Sequence, residues 1–317
     1  MWRASAAEVA CGGVVRQSCL PSARLPAVLS ARLCVSVGVA LTACATVVYG
    51  CGGSSPSAPT PSPSPTPPSP DTGSAGPPAT LVGAGDIGLC GSATIAATAK
   101  LVDAISGIVF TTGDNAYPNG SAANFRDCYE PHWGRHRART RPTPGNHEYD
   151  SAGAAPYFTY FGDNAGPFGL GYYSYAAGPW RVIALNSEIP VGPGSAQLQW
   201  LQSELAATRA RCTMVYWHKP LFTSGPNGPN RDMREVWRVL YDFDADLVVN
   251  GHDHLYERFG PQDPDGRLDP VRGIRQITVG TGGGNLYTPI TNAANTEAIG
   301  IVYGVIRLTL GTGSYQW

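Results

Sequence analysis

The chain has 317 residues, of which 43% are hydrophobic and only 14% charged, with a net charge of -1. That length accommodates one large domain with additional segments. The near-zero charge leaves no electrostatic footprint for nucleic acid or an anionic membrane surface.

Residues 1–32 carry Arg3, Arg16, Arg24 and Arg32 against a single acid, Glu8, and an apolar run from Leu33 to Val48 follows. At about sixteen residues the run is short for a membrane span and suits the core of an export signal. Leu41-Thr42-Ala43-Cys44 has the form of a lipoprotein processing site, and Cys51, followed by Gly52-Gly53-Ser54-Ser55, competes with it. A plain cleaved signal is the alternative. Residues 1–53 are thus expected to export the chain to the periplasm or cell exterior, with a membrane link only through a lipid on Cys44 or Cys51. Residues 54–79 are dominated by Pro, Ser, Thr and Ala, as in Pro61-Ser62-Pro63-Ser64-Pro65. With no apolar face to bury, they read as a disordered linker. The working domain is expected over 80–317.

Within that domain, short apolar segments bounded by turn residues predict strands at Thr80–Ala84, Gly107–Thr112, Trp180–Leu185, Thr213–Trp217, Asp246–Val249, Ile274–Val279 and Ile301–Leu310. A helix from about Ser92, with an N-cap serine and apolar Ile95, Ala99, Val102 and Ile105, stops at Gly107. A second starts at Ser195 with Leu198, Leu201 and Leu205 on one side. A third, from about Asp232 to Tyr241, carries Met233, Val236, Trp237 and Leu240. The alternation of strand and helix predicts an α/β fold.

Several strands run directly into a loop that opens with a metal-binding residue type. In order these are Gly85-Asp86-Ile87-Gly88, Gly113-Asp114-Asn115-Ala116-Tyr117, Gly145-Asn146-His147-Glu148, Val215-Tyr216-Trp217-His218 and Gly251-His252-Asp253-His254. Taken singly, each is weak, because a strand-end Asp is more often a turn residue and a lone His more often packed. It is the ordered set that points to metal chemistry. His132 and His136 lie outside it, in a loop with Arg126, Arg135, Arg137, Arg139 and Arg141, which reads either as a solvated basic loop or as a second phosphate clamp. Cys90 and Cys128 each follow one of the first two loops and are candidates to pair in an oxidising compartment. Cys212, opening an apolar strand, reads as a buried free thiol.

The ordered set DxG, GDxxY, GNHE, VxxH and GHxH resembles the signature of purple acid phosphatases within the calcineurin-like metallophosphoesterases. Gly88 stands where other branches have a histidine, and Tyr117 enters the second motif; this coupled exchange marks the branch. The resemblance implies a four-layer αββα sandwich of two mixed β-sheets, without the β-sandwich domain that precedes the catalytic domain in plant members. It implies that Asp86, Asp114, Tyr117 and His254 hold one metal ion, trivalent iron suiting the phenolate. Asp114, Asn146, His218 and His252 would hold a second, iron, zinc or manganese, with Asp114 bridging. The implied reaction is hydrolysis of small phosphate monoesters by attack of a metal-activated hydroxide on phosphorus. Asp114 and His147 would be catalytic, with Asn146 and His147 on the substrate.

A substrate-side histidine often follows the VxxH motif in this family. Here that stretch contains none, and Asn227 or Lys219 is the substitute donor. Phosphodiesterase or nucleotidase activity at the same metals is one alternative, and a non-catalytic, surface-anchored binding protein is another. Gly83-Ala84-Gly85-Asp86-Ile87-Gly88 also matches a dinucleotide fingerprint. The acid that fingerprint requires about twenty residues on has no good candidate, because Asp103 falls too early and Asp114 belongs to the stronger motif.

Overall fold

The computed structural model describes residues 76–317 apart from 209. The export segment, Cys44, Cys51 and most of the proposed linker lie outside the described residues. Two mixed sheets form the centre. In chain order the elements are β1 (Ala79–Ala84), α1 (Ala93–Asp103), β2 (Ile108–Thr112), α2 (Ala122–Asn124), β3 (Thr140–Thr143), α3 (Asn146–Tyr149) and α4 (Ala155–Phe161). There follow β4 (Tyr173–Ala177), β5 (Trp180–Ala184), α5 (Ala196–Ala207), β6 (Cys212–Tyr216), α6 (Arg234–Asp242) and β7 (Leu247–Asn250). The chain continues through β8 (Tyr256–Phe259), β9 (Arg275–Val279), β10 (Thr296–Gly300), β11 (Ile306–Gly311) and β12 (Ser314–Gln316).

The first sheet has the order β12-β11-β1-β2-β3 and the second β10-β8-β9-β7-β6-β5-β4. The strands β1, β2 and β3 run parallel, as do β5, β6, β7 and β9, while β4, β8, β10, β11 and β12 each pair antiparallel with their neighbours.

Side-chain alternation along the second sheet explains the layering. Val182, Ala184, Met214, Tyr216, Leu247 and Val249 point into the core shared with the first sheet. Ile183, Leu185, Val215, Trp217 and Val248, their neighbours in sequence, point the other way onto α5 and α6. Every one of these residues is fully buried, so each strand is apolar on both faces, as a sheet covered on both sides requires. The helix α1 packs Ile95, Ala99 and Val102 against the first sheet, giving four layers.

Ser92 caps α1 by accepting from the Thr94 N–H at 3.2 Å, and Ser195 caps α5 by accepting from that of Leu198 at 3.3 Å. At the far end of α1, Arg139 donates to the carbonyls of Val102, Ile105 and Gly107, placing positive charge where the helix presents unpaired carbonyls. Arg126 pairs with Asp127, Arg135 with Asp103 and Arg141 with Asn164. Arg137 lies over the Tyr160 ring. Arg126, Arg135 and Arg137 are exposed, in keeping with a solvated basic loop, while their neighbours within the fold take up several of the loop's donors. Its residue types were visible in the sequence; its partners were not.

Cys90 and Cys128 form a disulfide with their Cα atoms 4.7 Å apart. Cys212 is buried as expected, but it is disulfide-bonded rather than a free thiol. No helix among the described residues is long and apolar enough to cross a membrane.

Candidate metal centre

The carboxyl ends of the parallel strands from both sheets meet at one place. Asp86 follows β1, Asp114 follows β2, Asn146 follows β3, His218 follows β6, and His252 and His254 follow β7. Backbone hydrogen bonds stitch these loops together: Asp86 N–H to Gly113 carbonyl at 3.0 Å, Ile87 to Asp114 at 2.9 Å and Gly251 to His218 at 3.0 Å. The Gly85 N–H donates to the Val279 carbonyl at 2.9 Å, so the site lies where the two sheets are tied.

To turn their side chains inward, three of these residues leave the ordinary backbone regions. Asp86 has φ 59°, Asp114 49° and His252 71°. Left-handed backbone at a non-glycine residue costs on the order of 1–3 kcal/mol and persists where surrounding structure enforces it, commonly at functional sites. Neighbouring glycines make room. Gly113 has φ 88°, and a Cβ there would strike the His218 imidazole. At Gly88 a Cβ would collide with the Asn115 carbonyl, so no side chain fits at that position. Tyr117 reaches the centre instead.

The seven residues converge as two groups joined at Asp114. The Tyr117 hydroxyl lies 3.0 Å from Oδ1 of Asp86, 3.2 Å from Oδ2 of Asp114 and 3.0 Å from Nε2 of His254. On the other side, Nε2 of His218 lies 3.3 Å from Oδ2 of Asp114, 3.0 Å from Oδ1 of Asn146 and 3.2 Å from Nδ1 of His252. Ligand atoms of Asp114, His218 and His252 all lie within 4.8 Å of one another.

Ring orientation is fixed by outer partners. His218 directs Nδ1 at the Thr112 carbonyl at 2.7 Å, and His254 directs Nδ1 at the Asn285 carbonyl at 2.7 Å. Each therefore donates from Nδ1 and turns Nε2 inward, the nitrogen that would bind a metal once its proton has left. Tyr287 lies flat on the His254 ring, with centroids 4.1 Å apart and planes 6° from parallel.

The charge balance calls for cations. Asp86 and Asp114 are almost completely buried, and among the described residues their ion-pair partners are imidazoles alone: His254 for Asp86, and His147 and His218 for Asp114. Buried carboxylates need compensating charge. Burial would raise the Asp114 carboxyl, but His218 and His147 hold it well below the usual range. Burial would likewise favour neutral His218, yet the Asp114 carboxylate lifts it to about 10. Burial and then adjacent His218 push His252 down to about 3. Burial, followed by Asp86 and Asp114, pushes the Tyr117 phenol far above its ordinary value. Replacing these protons by metal cations would reverse the last effect, since a cation favours phenolate. Three hard oxygen donors with one imidazole, beside two imidazoles with a carboxamide oxygen, form a donor set that suits two adjacent metal ions.

His147 sits at the edge of the cluster, its side chain about one-third exposed, with Nε2 3.7 Å from Oδ2 of Asp114 and Nδ1 2.5 Å from the Pro118 carbonyl. The Asn227 carboxamide is at the rim, donating to the His252 carbonyl at 2.7 Å. Lys219, the other candidate donor, is engaged with Glu188 at 2.6 Å.

Glu148, the last residue of the GNHE motif, is the brace beneath the cluster. Fully buried, it accepts from the N–H groups of Asn115 (2.8 Å), Ala116 (3.1 Å) and Gly145 (2.8 Å). It thereby joins the second loop to the third. Its position three residues after Gly145, the spacing of a side chain that caps a helix start, was the available signal. Burial, then Asp114, raises its carboxyl to about 8 against the pull of those N–H groups. The roles of Asn285 and Tyr287 had no such signal, being set by a return of the chain after β9.

A model of the calcineurin-like phosphoesterase family matches residues 79–256, more than half of the chain. The chain belongs to that family. Among curated proteins it is 32% identical over 201 residues to an uncharacterized protein of Mycobacterium tuberculosis, covering 54% of this chain and 34% of the other. It is 27% identical over 258 residues to purple acid phosphatase 15 of Arabidopsis thaliana, covering 68% and 47%. The chain therefore spans half or less of the length of these relatives. Among solved structures, a purple acid phosphatase from yellow lupin (Lupinus luteus) seeds superposes with a TM-score of 0.61 at 21% identity, covering 74% of this chain and 49% of that one. The fold is that of the metallophosphoesterases, with two mixed sheets as expected.

Proposed function

We propose that this protein is an exported phosphatase that hydrolyses small phosphate monoesters at a dinuclear metal centre, with trivalent iron at the Tyr117 side and iron, zinc or manganese at the other. The observation that carries the reading is the position of Asp114. Its Oδ2 lies 3.2 Å from the Tyr117 hydroxyl and 3.3 Å from Nε2 of His218, between the two donor groups. Family membership and the purple acid phosphatase relatives support the reaction class.

When bound, a pair of cations here would activate water and neutralise charge on phosphoryl oxygens. The chain's own residues supply the rest. Thr112 and Asn285 hold two imidazoles in the tautomer that keeps Nε2 inward. Glu148 fixes the loops that carry Asp114 and Asn146. His147 engages Pro118 through Nδ1, so a proton it delivers to the leaving oxygen departs from Nε2, the nitrogen facing the cluster.

Export is supported by the charge and apolar pattern of residues 1–53 and by the Cys90–Cys128 disulfide, a bond that persists in oxidising compartments. Cell fractionation tests it: recovery of the protein in the cytoplasm with free thiols at Cys90 and Cys128 refutes it.

Activity is tested with metal-loaded protein on p-nitrophenyl phosphate, bis-p-nitrophenyl phosphate and nucleotides. Fastest release from the monoester supports the reading. Preference for the diester or a nucleotide reassigns the substrate at the same centre, and no release from any of them leaves a binding protein on this fold.

A further inference from the structure

The segment Thr223–Gly228 crosses the rim of the cluster and is held by two buried carboxylates. Oδ2 of Asp253 accepts from the Thr223 hydroxyl at 2.5 Å, and Oδ1 accepts from the Asn227 N–H at 3.1 Å. The Thr223 hydroxyl in turn accepts from the Gly225 N–H at 2.9 Å. One residue along, Glu257 accepts from the Ser224 N–H at 2.8 Å and from its hydroxyl at 2.5 Å. The segment also passes close over Asp253, because a Cβ on Gly225 would strike the Asp253 carboxylate.

Asp253 stands between His252 and His254 but faces away from both, toward this segment. Its carboxylate is fully buried, and among the described residues its hydrogen-bond partners come only from Thr223 and Asn227. What this anchoring achieves is the placement of one exposed group. The Asn227 carboxamide, exposed at the rim, donates one N–H to the His252 carbonyl at 2.7 Å and has a second N–H to offer. A carboxamide has two such donors in a fixed plane, so fixing the first aims the second.

We propose that Asp253 is a positioning residue that, through Thr223 and the Asn227 backbone, sets the Asn227 carboxamide as a neutral hydrogen-bond donor to a phosphoryl oxygen bound at the cluster. The proposal rests on the phosphoester reading of the site and deepens it by naming what grips the substrate oxygen on the His252 side. A fixed, uncharged donor favours binding of an oxyanion without adding a proton that must be lost at higher pH.

The test uses full-length, metal-loaded protein and the variants Asp253→Asn, Thr223→Val, Asn227→Ala and the double variant Asp253→Asn with Asn227→Ala. Metal content is measured for each, inorganic phosphate is titrated calorimetrically, and amide hydrogen exchange is followed over residues 223–228. Outer partners of this kind alter function by about 10–100-fold. Asp253→Asn and Asn227→Ala are each expected to weaken phosphate binding by about tenfold or more with metal content unchanged, and kcat/KM for p-nitrophenyl phosphate should fall in step. Asp253→Asn and Thr223→Val should speed exchange in the segment, and the double variant should be no weaker than Asn227→Ala alone. Unchanged phosphate affinity in Asp253→Asn, multiplying losses in the double variant, or losses that track departure of metal would each overturn the positioning role. Wild-type protein that takes up metal but neither binds phosphate nor releases it from esters would instead sink the phosphoester reading and this inference with it.

Discussion

The phenolic oxygen of Tyr117 lies 3.0 Å from Nε2 of His254, although the two residues are 137 positions apart and follow strands of different sheets. The contact exists because β2 of one sheet and β7 of the other end at the same level. Gly88 packs against the Asn115 and Ala116 backbone just ahead of Tyr117, where a Cβ would collide with the Asn115 carbonyl.

Tyr117→Phe removes only that oxygen from a buried ring. If the phenolate binds trivalent iron, iron-loaded wild-type protein shows a visible charge-transfer band and the variant lacks it while keeping its fold. An unchanged band in Tyr117→Phe would place iron elsewhere.

His147 contributes no atom to either donor group, so His147→Ala should leave metal content intact. Turnover of p-nitrophenyl phosphate should fall by about 10²–10⁴, the range for loss of a general acid or base. Metal analysis beside steady-state kinetics checks this, and a variant that loses metal would make His147 part of the coordination.

Gly113→Ala should be severe for so small a change. The added methyl meets His218, and the residue must keep φ 88°. Strain of this kind costs about 1–3 kcal/mol. Lower thermal stability together with weaker metal uptake is expected, whereas wild-type behaviour in both would mean that the loop relaxes freely.

Asp246, at the start of β7, accepts from the Thr213 N–H at 2.8 Å, and burial raises its carboxyl to about 7 against the pull of that bond. The unfolded chain would ionise it near 4. Between about pH 4 and 7 the folded protein holds a proton that the unfolded chain releases, so this group's contribution is fully present below about pH 4 and is lost as pH rises to about 7. The slope is at most about 1.4 kcal/mol per pH unit. Asp246→Asn keeps an oxygen for Thr213 and should flatten that slope in urea unfolding at pH 5 and pH 7. A slope equal to that of the wild type would assign the pH dependence to other groups.

The central parallel strands were legible because both faces are apolar. The predicted segments at Thr80–Ala84, Trp180–Leu185 and Thr213–Trp217 lie within about one residue of β1, β5 and β6. The missed strands lack that signature. In β3, Pro142 argues against a strand, but β3 is an edge and tolerates the missing donor. In β8, Glu257 and Arg258 look like surface residues, yet Glu257 is buried because it binds Ser224 and Thr296. The last predicted strand began at Ile301, whereas β11 begins at Ile306; Gly304 is instead drawn to the Thr281 carbonyl at 3.0 Å. The candidate ligands stood out because each follows a strand and a glycine or apolar run. Glu148, Asp253 and Tyr287 did not, because their work depends on partners reached only through the fold.

Elemental analysis of purified wild-type protein and of Asp114→Ala, both refolded with iron and zinc and then desalted, tests the shared-centre account most directly. Two equivalents of metal per wild-type chain and at most one in the variant are predicted, because Asp114 stands in both donor groups. Wild-type protein holding no metal, or a variant holding as much as wild type, would contradict it.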